Sequence, residues 1–313
     1  MKVSVIIPNW NGARLLGPCL DSLRQSTWKD FEVWVVDNGS EDASCALLRE
    51  RYEWVRLIRL DRNYGFARAC NEGIRAARGE WVVLLNNDME VASDWLEELV
   101  RGMERHPDCA LGASRILYFD DRTLVCNAGD RFYPWGAGGA RGEGERDRGQ
   151  FDTEEEVFGV CAGAAIYRRR LFDDIGGFDE SFHSLAEDVD FNVRARLSGY
   201  RAVYLPRARV FHIGSATLGR YSDRYVYLAH RNQWFVLFKN LPLRLFWKHL
   251  GAILKFHVRT AVYFSGRGQG PLLLRAQWDA LRRLPALLGR REAIQSRRRV
   301  EDRALEQLMD RTG

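Results

Sequence analysis

Val3-Ser4-Val5-Ile6-Ile7-Pro8-Asn9-Trp10-Asn11-Gly12 decides the fold class. Residues 3–7 form an apolar run rich in β-branched side chains, and a polar turn follows at once. The pattern returns three times. Residues 31–36 lead into Asp37-Asn38-Gly39-Ser40, residues 55–60 into Asp61-Arg62-Asn63-Tyr64-Gly65, and residues 81–85 into Asn86-Asn87-Asp88. Between these runs, Leu15, Leu16, Cys19, Leu20 and Leu23 recur at helical spacing, and residues 43–51 and 66–77 read as further helices. Short apolar runs separated by helices are parallel strands covered on both faces. The first 100 residues therefore predict a doubly wound α/β half.

Ligands of open α/β sheets bind beyond the carboxyl ends of the strands, and here four successive strands deliver Asn or Asp to one rim. Turn chemistry alone enriches these residues at any one strand end; four together point to a binding cleft. Neither G-x-G-x-x-G nor G-x-x-x-x-G-K-[ST] follows the first strand, so the dinucleotide and P-loop cradles are excluded. Amides and carboxylates must hold the ligand instead. Asp37 suits a hydrogen bond to a ribose hydroxyl or a base N–H. Asp88 suits a hard divalent cation on phosphate oxygens, although it could equally cap the next helix. Further on, Glu187-Asp188-Val189-Asp190 opens a helical stretch, residues 187–197, where the carboxylates favour the dipole. Helical spacing groups Glu187 with Asp190 and turns Asp188 elsewhere. His212 closes a strand-like stretch, residues 209–212, that follows another at 202–205.

After Pro107 the pattern changes to short strand-like runs at 111–118, 124–128 and 157–167. They surround GAGGARGEGERDRGQ at 136–150, where six glycines and six charges in 15 residues predict a mobile loop, either a surface insertion or a lid. From 221 on, the chain reads as helix: 221–240, 243–264, 272–288, then a charged amphipathic stretch to Met309. The 313 residues carry 47 Lys and Arg against 42 Asp and Glu, with 46% hydrophobic content, which excludes wholesale disorder. Charge is uneven: residues 241–313 hold 15 basic and 6 acidic side chains, a surplus of nine, while the first 240 are mildly acidic. Six scattered cysteines with no C-x-x-C pair argue against a zinc ribbon or disulfide scaffold. The apolar run at the amino terminus is too short for a secretory signal, and nowhere do about 18 uncharged apolar residues run together. A cytoplasmic protein is expected.

V-S-V-I-I-P-N-W-N-G (3–12), V-V-D-N-G-S (35–40), N-Y-G-F-A-R-A-C-N-E-G (63–73), L-L-N-N-D (84–88), G-G-F-D-E-x-F (176–182), E-D-V-D-F (187–191) and V-F-H (210–212), in that order, resemble the family 2 inverting glycosyltransferases. The likeness is greatest to the rhamnosyltransferase-like branch that builds bacterial surface polysaccharide. It covers about residues 1–240 and implies a GT-A fold, a doubly wound mixed sheet. The nucleotide-binding half would span about 1–105 and the acceptor half about 106–240, with 241–313 a basic amphipathic helical tail.

The resemblance implies that Pro8, Asn9 and Asn11 line the nucleotide pocket and that Asp37, with Asn38 beside it, meets the base. Asn63, Gly65, Phe66 and Asn71 would hold the ribose and phosphates. Asn86-Asn87-Asp88 stands where the family has D-x-D. That leaves Asp88 as the one strong metal ligand of the motif, Asn87 as a donor contact, and His212 as a further metal ligand. Asp188 takes the general-base position with Glu187 beside it, and Arg231 lies near the diphosphate or acceptor. The implied cofactor is Mg²⁺ or Mn²⁺, and the implied donor is a UDP- or dTDP-sugar, dTDP-rhamnose among them. The acceptor would be a hydroxyl of a cell-envelope glycan or lipid-linked molecule.

Two other classes compete: a sugar nucleotidyltransferase, and a catalytically silent nucleotide-sugar binding or scaffold protein. The first lacks its Gly-rich basic loop here; the second draws on the reduced N-N-D motif. In the tail, Trp247, Phe256, Tyr263 and Trp278 mix with Arg244, Lys248, Lys255 and Arg259. Such helices suit an anionic membrane surface, peripheral on the inner face of the plasma membrane; packing on the catalytic domain or in a homodimer is the plainer alternative. No recognisable nucleic-acid module accompanies the charge, so nucleic acid is not expected.

Overall fold

In the computed structural model, which describes residues 1–213 and 221–310, the four apolar runs are parallel strands. β1 (Val3–Asn9), β2 (Phe31–Asp37), β3 (Arg56–Arg59) and β4 (Trp81–Leu85) lie in the order β4-β1-β2-β3. Helices α1 (Ala13–Arg24), α2 (Ser44–Arg51) and α3 (Phe66–Ala76) make the crossovers. β1, β2 and β4 are buried on both faces because α1 and α2 cover one side, through Leu16, Leu20 and Leu48, and α3 the other, through Ala67, Cys70 and Ile74, while β3 is a partly exposed edge. Gly73 lets α3 sit directly on β1 and β2: a Cβ there would meet Ile6 at 2.3 Å.

The second half extends the same sheet. After β5 (Met89–Val91) and α4 (Trp95–Arg105) come β6 (Cys109–Tyr118), β7 (Val125–Asn127), β8 (Asp130–Phe132), β9 (Gly138–Ala140), β10 (Glu155–Val157) and β11 (Ala164–Arg168). Then follow α5 (Arg169–Ile175), α6 (Glu187–Leu197) and β12 (Arg201–His212). β11 inserts antiparallel between β4 and β6, and β12 runs parallel to β6 and antiparallel to β10 and β5, which makes the sheet mixed. The two strand-like stretches at 202–205 and 209–212 are one strand with a register irregularity between Leu205 and Arg209.

Two expectations are corrected here. The run 157–167 is not one strand. The chain leaves the sheet between β10 and β11, where Gly159 lies so close to Asn192 that a Cβ would meet that side chain at 2.3 Å. Nor is 136–150 a featureless loop. β9 pairs with β8, Val125 N–H donates to the Glu145 carbonyl at 2.9 Å, and Arg115 pairs with Asp147. Four of the six glycines serve close packing: a Cβ on Gly136 would strike Leu237, one on Gly138 Val189, one on Gly139 Tyr133 and one on Gly142 Phe151.

Helices α7 (Asp223–Asn240), α8 (Leu243–Lys248), α9 (Leu250–Ser265), α10 (Gly270–Arg282), α11 (Leu284–Ser296) and α12 (Asp302–Gln307) follow. The expected helix over 272–288 is two, because Pro285 lacks an N–H and cannot continue α10, whereas it is tolerated in the first turn of α11. The main apolar cluster of these helices is separate from the two that flank the sheet and joins them to β8, the turn at 180–182 and α6 through Phe132, Phe182, Val193, Phe235, Leu287 and Leu305. Among the described residues, no helix is long and apolar enough to cross a membrane.

Candidate active site

The carboxyl ends of β1, β2 and β4 are stitched by side-chain amides. Asn87 Nδ2 donates to Asn9 Oδ1 at 2.7 Å, and Asn9 Nδ2 donates to Asp37 Oδ1 at 3.2 Å. Asn38 Nδ2 donates to Asn63 Oδ1 at 3.0 Å and to the Gly65 carbonyl at 3.1 Å. Positive φ at Gly65 (94°) lets the chain turn into α3 against His183, where a side chain would collide.

Beyond this rim lies a cleft of about 330 Å³. Pro8, Asn9, Asn38, Asn63, Phe66 and Asn87 line one part of it, and Asp88, Glu187, Asp188 and His212 line another. Asn11 lies in an adjoining cavity, which shares Trp10 and Asn63 with the cleft. Strand register explains how His212 arrives: β12 sets it opposite Met89, next to Asp88, so that Nε2 stands 3.4 Å from Asp88 Oδ2. Burial opposes a charged imidazole, but hydrogen bonds to Asp88 and to Cys126, whose Sγ lies 3.4 Å from Nδ1, push the His212 pKa up to about 10. The other oxygen, Asp88 Oδ1, is buried without a hydrogen-bond partner. The unmet carboxylate oxygen fits a cation of the Mn²⁺ or Mg²⁺ type, and His212 would join it as a ligand once the cation displaces its proton.

α6 enters the cleft at its N-terminus. Asp188 is held by the Val189 N–H at 2.8 Å and the Ala162 N–H at 3.4 Å. Burial raises its pKa above the ordinary carboxylate range against those two bonds. Glu187 is raised further, by burial and by the charge of Asp188, and its Oε2 has no hydrogen-bond partner. Helical spacing had grouped Glu187 with Asp190, but they diverge. Asp190 is fully buried and accepts from Arg194 at 2.9 Å and Asn240 at 2.7 Å.

Besides Asn11, four expected ligand contacts do not line the cleft. Asp37 is fully buried behind the rim, where it accepts from Asn9 and from the Ser40 N–H at 3.1 Å. Gly65 supplies backbone to the rim and no side chain. Asn71 is a buried strut, donating to the Phe178 carbonyl at 2.8 Å and accepting from its N–H at 2.9 Å. Arg231 is buried as well and donates to the Ser181 and Phe182 carbonyls at 3.2 and 3.0 Å. The cation that lines the cleft from α7 is Arg224, which also meets His183 Nε2 at 2.7 Å. Arg224 and Arg231 are seven residues apart, on one face of the helix but about 10 Å along its axis. That spacing was the one available signal for Arg224. Asp130 escaped notice too: its carboxyl accepts from Asn127 at 2.7 Å, and burial together with the Asp188 charge raises its pKa.

Comparison with known proteins gives the family and the fold. The model of Glycosyl transferase family 2 matches residues 4–176. The O-antigen biosynthesis protein RfbC of Myxococcus xanthus is 32% identical over 226 residues, 69% of this chain and 18% of that protein, so the chain spans less than a fifth of that relative. The N-acetylglucosaminyl-diphospho-decaprenol L-rhamnosyltransferase of Mycobacterium tuberculosis is 28% identical over 289 residues, 79% of this chain and 90% of that protein. Among solved structures, a mannosyltransferase from Pyrobaculum calidifontis in complex with GDP-Man and Mn²⁺ superposes with a TM-score of 0.57 at 19% identity. It covers 98% of this chain and 83% of the other, a likeness of fold, which is GT-A. With more than half of its residues matched by the family model, the chain is a member of the family 2 glycosyltransferases.

Proposed function

We propose that the cleft moves a sugar from a UDP- or dTDP-sugar to a hydroxyl of a cell-envelope glycan or lipid-linked acceptor, with inversion at the anomeric carbon. dTDP-rhamnose is the donor favoured by the rhamnosyltransferase relative. The observation that carries this reading is the pairing, in one cleft, of a half-buried carboxylate oriented by two backbone N–H groups with an imidazole–carboxylate pair. Asp188, made more basic by burial, takes the acceptor proton as the hydroxyl attacks; such help is worth about 10²–10⁴-fold in rate. Attack from the face opposite the leaving nucleoside diphosphate inverts the configuration. Asp88 and His212 would hold Mg²⁺ or Mn²⁺, which supplies positive charge to the departing diphosphate. Asn9, Asn38, Asn63 and Asn87 present amides to the nucleotide, and Arg224 brings a further cation to the cleft.

The test is a donor panel of UDP-glucose, UDP-galactose, UDP-GlcNAc, GDP-mannose and dTDP-rhamnose, each with and without Mg²⁺ or Mn²⁺, read by thermal shift and donor hydrolysis. A metal-dependent response to a UDP- or dTDP-sugar supports the reading. A response to GDP-mannose alone, or to none, overturns the donor assignment.

A further inference from the structure

Helices α9 and α10 bury one side against α7 and leave the other open. On α9, Leu254, Val258 and Val262 recur every four residues as one stripe, and each is more than half exposed. α10 repeats the device with Leu274, Trp278 and Leu281, again each more than half exposed. The two stripes face the same way, because Leu254 and Val258 from one helix and Leu281 from the other border a single groove of about 360 Å³, floored by Trp234 and Phe238 of α7. Interspersed along the same helices are exposed cations: Lys255 and Arg259 on α9, Arg275 and Arg282 on α10. α9 has no acidic residue, and the one on α10, Asp279, accepts the Tyr227 hydroxyl at 2.7 Å.

We propose that this face docks on a bilayer of anionic lipid, with the α9 and α10 stripes in the acyl region, the groove receiving a hydrocarbon chain, and the cations on the headgroups. Charge decides the occupant. A second copy would set cations against cations with no acidic complement, and a nucleic acid would leave the aliphatic stripes and the groove uncovered. An anionic bilayer satisfies both kinds of group at once. The stripe also has a direction. His257 stacks on Trp234 at 4.1 Å between ring centroids and Phe264 lies on His230 at 5.3 Å, so α9 runs antiparallel to α7. Its Val262 end therefore lies beside the first turn of α7, which supplies Arg224 and Tyr225 to the cleft. A docked chain holds the cleft mouth near the lipid surface, where a membrane-anchored acceptor presents its head. This last step rests on the transferase reading of the cleft; the docking itself does not.

The test is flotation of the chain with phosphatidylcholine vesicles and with vesicles rich in phosphatidylglycerol, at low and high salt. The wild type floats with the anionic vesicles at low salt and less at high salt. Val258→Glu with Trp278→Glu abolishes flotation, while Arg259→Glu with Arg282→Glu weakens it by about fivefold or more per charge. Circular dichroism and donor hydrolysis in detergent-free buffer check that both variants remain folded. Wild-type chain recovered only in the soluble fraction at low salt overturns the proposal, as does flotation unaffected by the apolar substitutions. A dimer in light scattering that those substitutions dissolve also overturns it, in favour of a second copy. Flotation can succeed while the donor panel fails, and the reverse, so the two readings stand or fall separately.

Discussion

Asp88 and Glu187 line the cleft, and each keeps one buried oxygen there without a hydrogen-bond partner. For Asp88 the unmet oxygen is an available ligand. Asp88→Ala is expected to weaken donor binding in the presence of Mn²⁺ and to change it little in its absence, as calorimetry would show. For Glu187 the consequence is a stability cost. Burial, with Asp188 beside it, raises its folded pKa above the ordinary value of 4.5, so the folded state binds its proton more tightly than the unfolded chain does. Destabilisation therefore accumulates as pH rises above about 4.5 and is absent below it, where both states are protonated. Glu187→Gln is expected to raise the Tm at neutral pH, with the gain disappearing in acid; equal Tm values at neutral pH would contradict this. At this scale the sequence was most legible where a strand end fixes the residue, as for Asn9, Asn87 and Asp88. It was least legible on α7, where helical phase gives a shared face for Arg224 and Arg231 but not which of them reaches the cleft.

Between the short helical turn Glu180–Phe182 and α6, His183, Leu185 and Ala186 all have positive φ, a conformation that is costly away from glycine. One amide holds this segment: Asn232 Nδ2 lies within hydrogen-bond distance of the Phe182, Ser184 and Leu185 carbonyls at 3.0, 2.9 and 2.7 Å. Arg231 adds bonds to the carbonyls of Ser181 and Phe182. Arg231 and Asn232 are therefore the ties of the cleft wall that carries Ser184 and Leu185. Asn232→Ala is expected to cost about 2 kcal/mol in denaturant unfolding, from the two N–H donors that its amide shares among these three carbonyls, at about 1 kcal/mol each. It should also raise KM more than it lowers kcat; an unchanged KM would show that the wall does not depend on this amide. No sequence pattern announces such a tie, since it joins residues about 50 apart. Residues 136–150 escaped for another reason. Composition cannot distinguish glycines that leave a loop free from glycines that admit Leu237 and Val189 at close range.

For the molecule as a whole, the alternation of β1 to β4 with α1 to α3 was legible, since β1, β2 and β4 are buried runs and α1 and α3 carry clear apolar sides, whereas the three-residue β5 carried no such signal. The place of the carboxyl-terminal helices was not, because their partners come from distant chain. Lys239 on α7, 2% exposed, lies 2.5 Å from Asp179 and 2.6 Å from Asp190, and Arg290 of α11 reaches Asp179 at 2.5 Å. Burial would raise the Asp179 pKa, but Lys239, Ser181 and Arg290 hold it well below the usual carboxylate range. Its contribution is thus complete above the unfolded value of 3.8 and is lost as pH falls. Asp179→Asn is expected to destabilise the protein by about 3 kcal/mol at neutral pH, with the difference shrinking in acid unfolding. If the variant unfolds as the wild type does at neutral pH, the network does not bind α11 to the sheet half. What this scaffold finally holds in place is Asp188 at the N-terminus of α6, and the central claim is that Asp188 is the base of glycosyl transfer. The most direct measurement is kcat of Asp188→Asn beside the calorimetric Kd of the donor identified by the panel. The Kd is expected to stay close to wild type with kcat reduced by about 10²–10⁴-fold. A variant that keeps near wild-type kcat would contradict the claim.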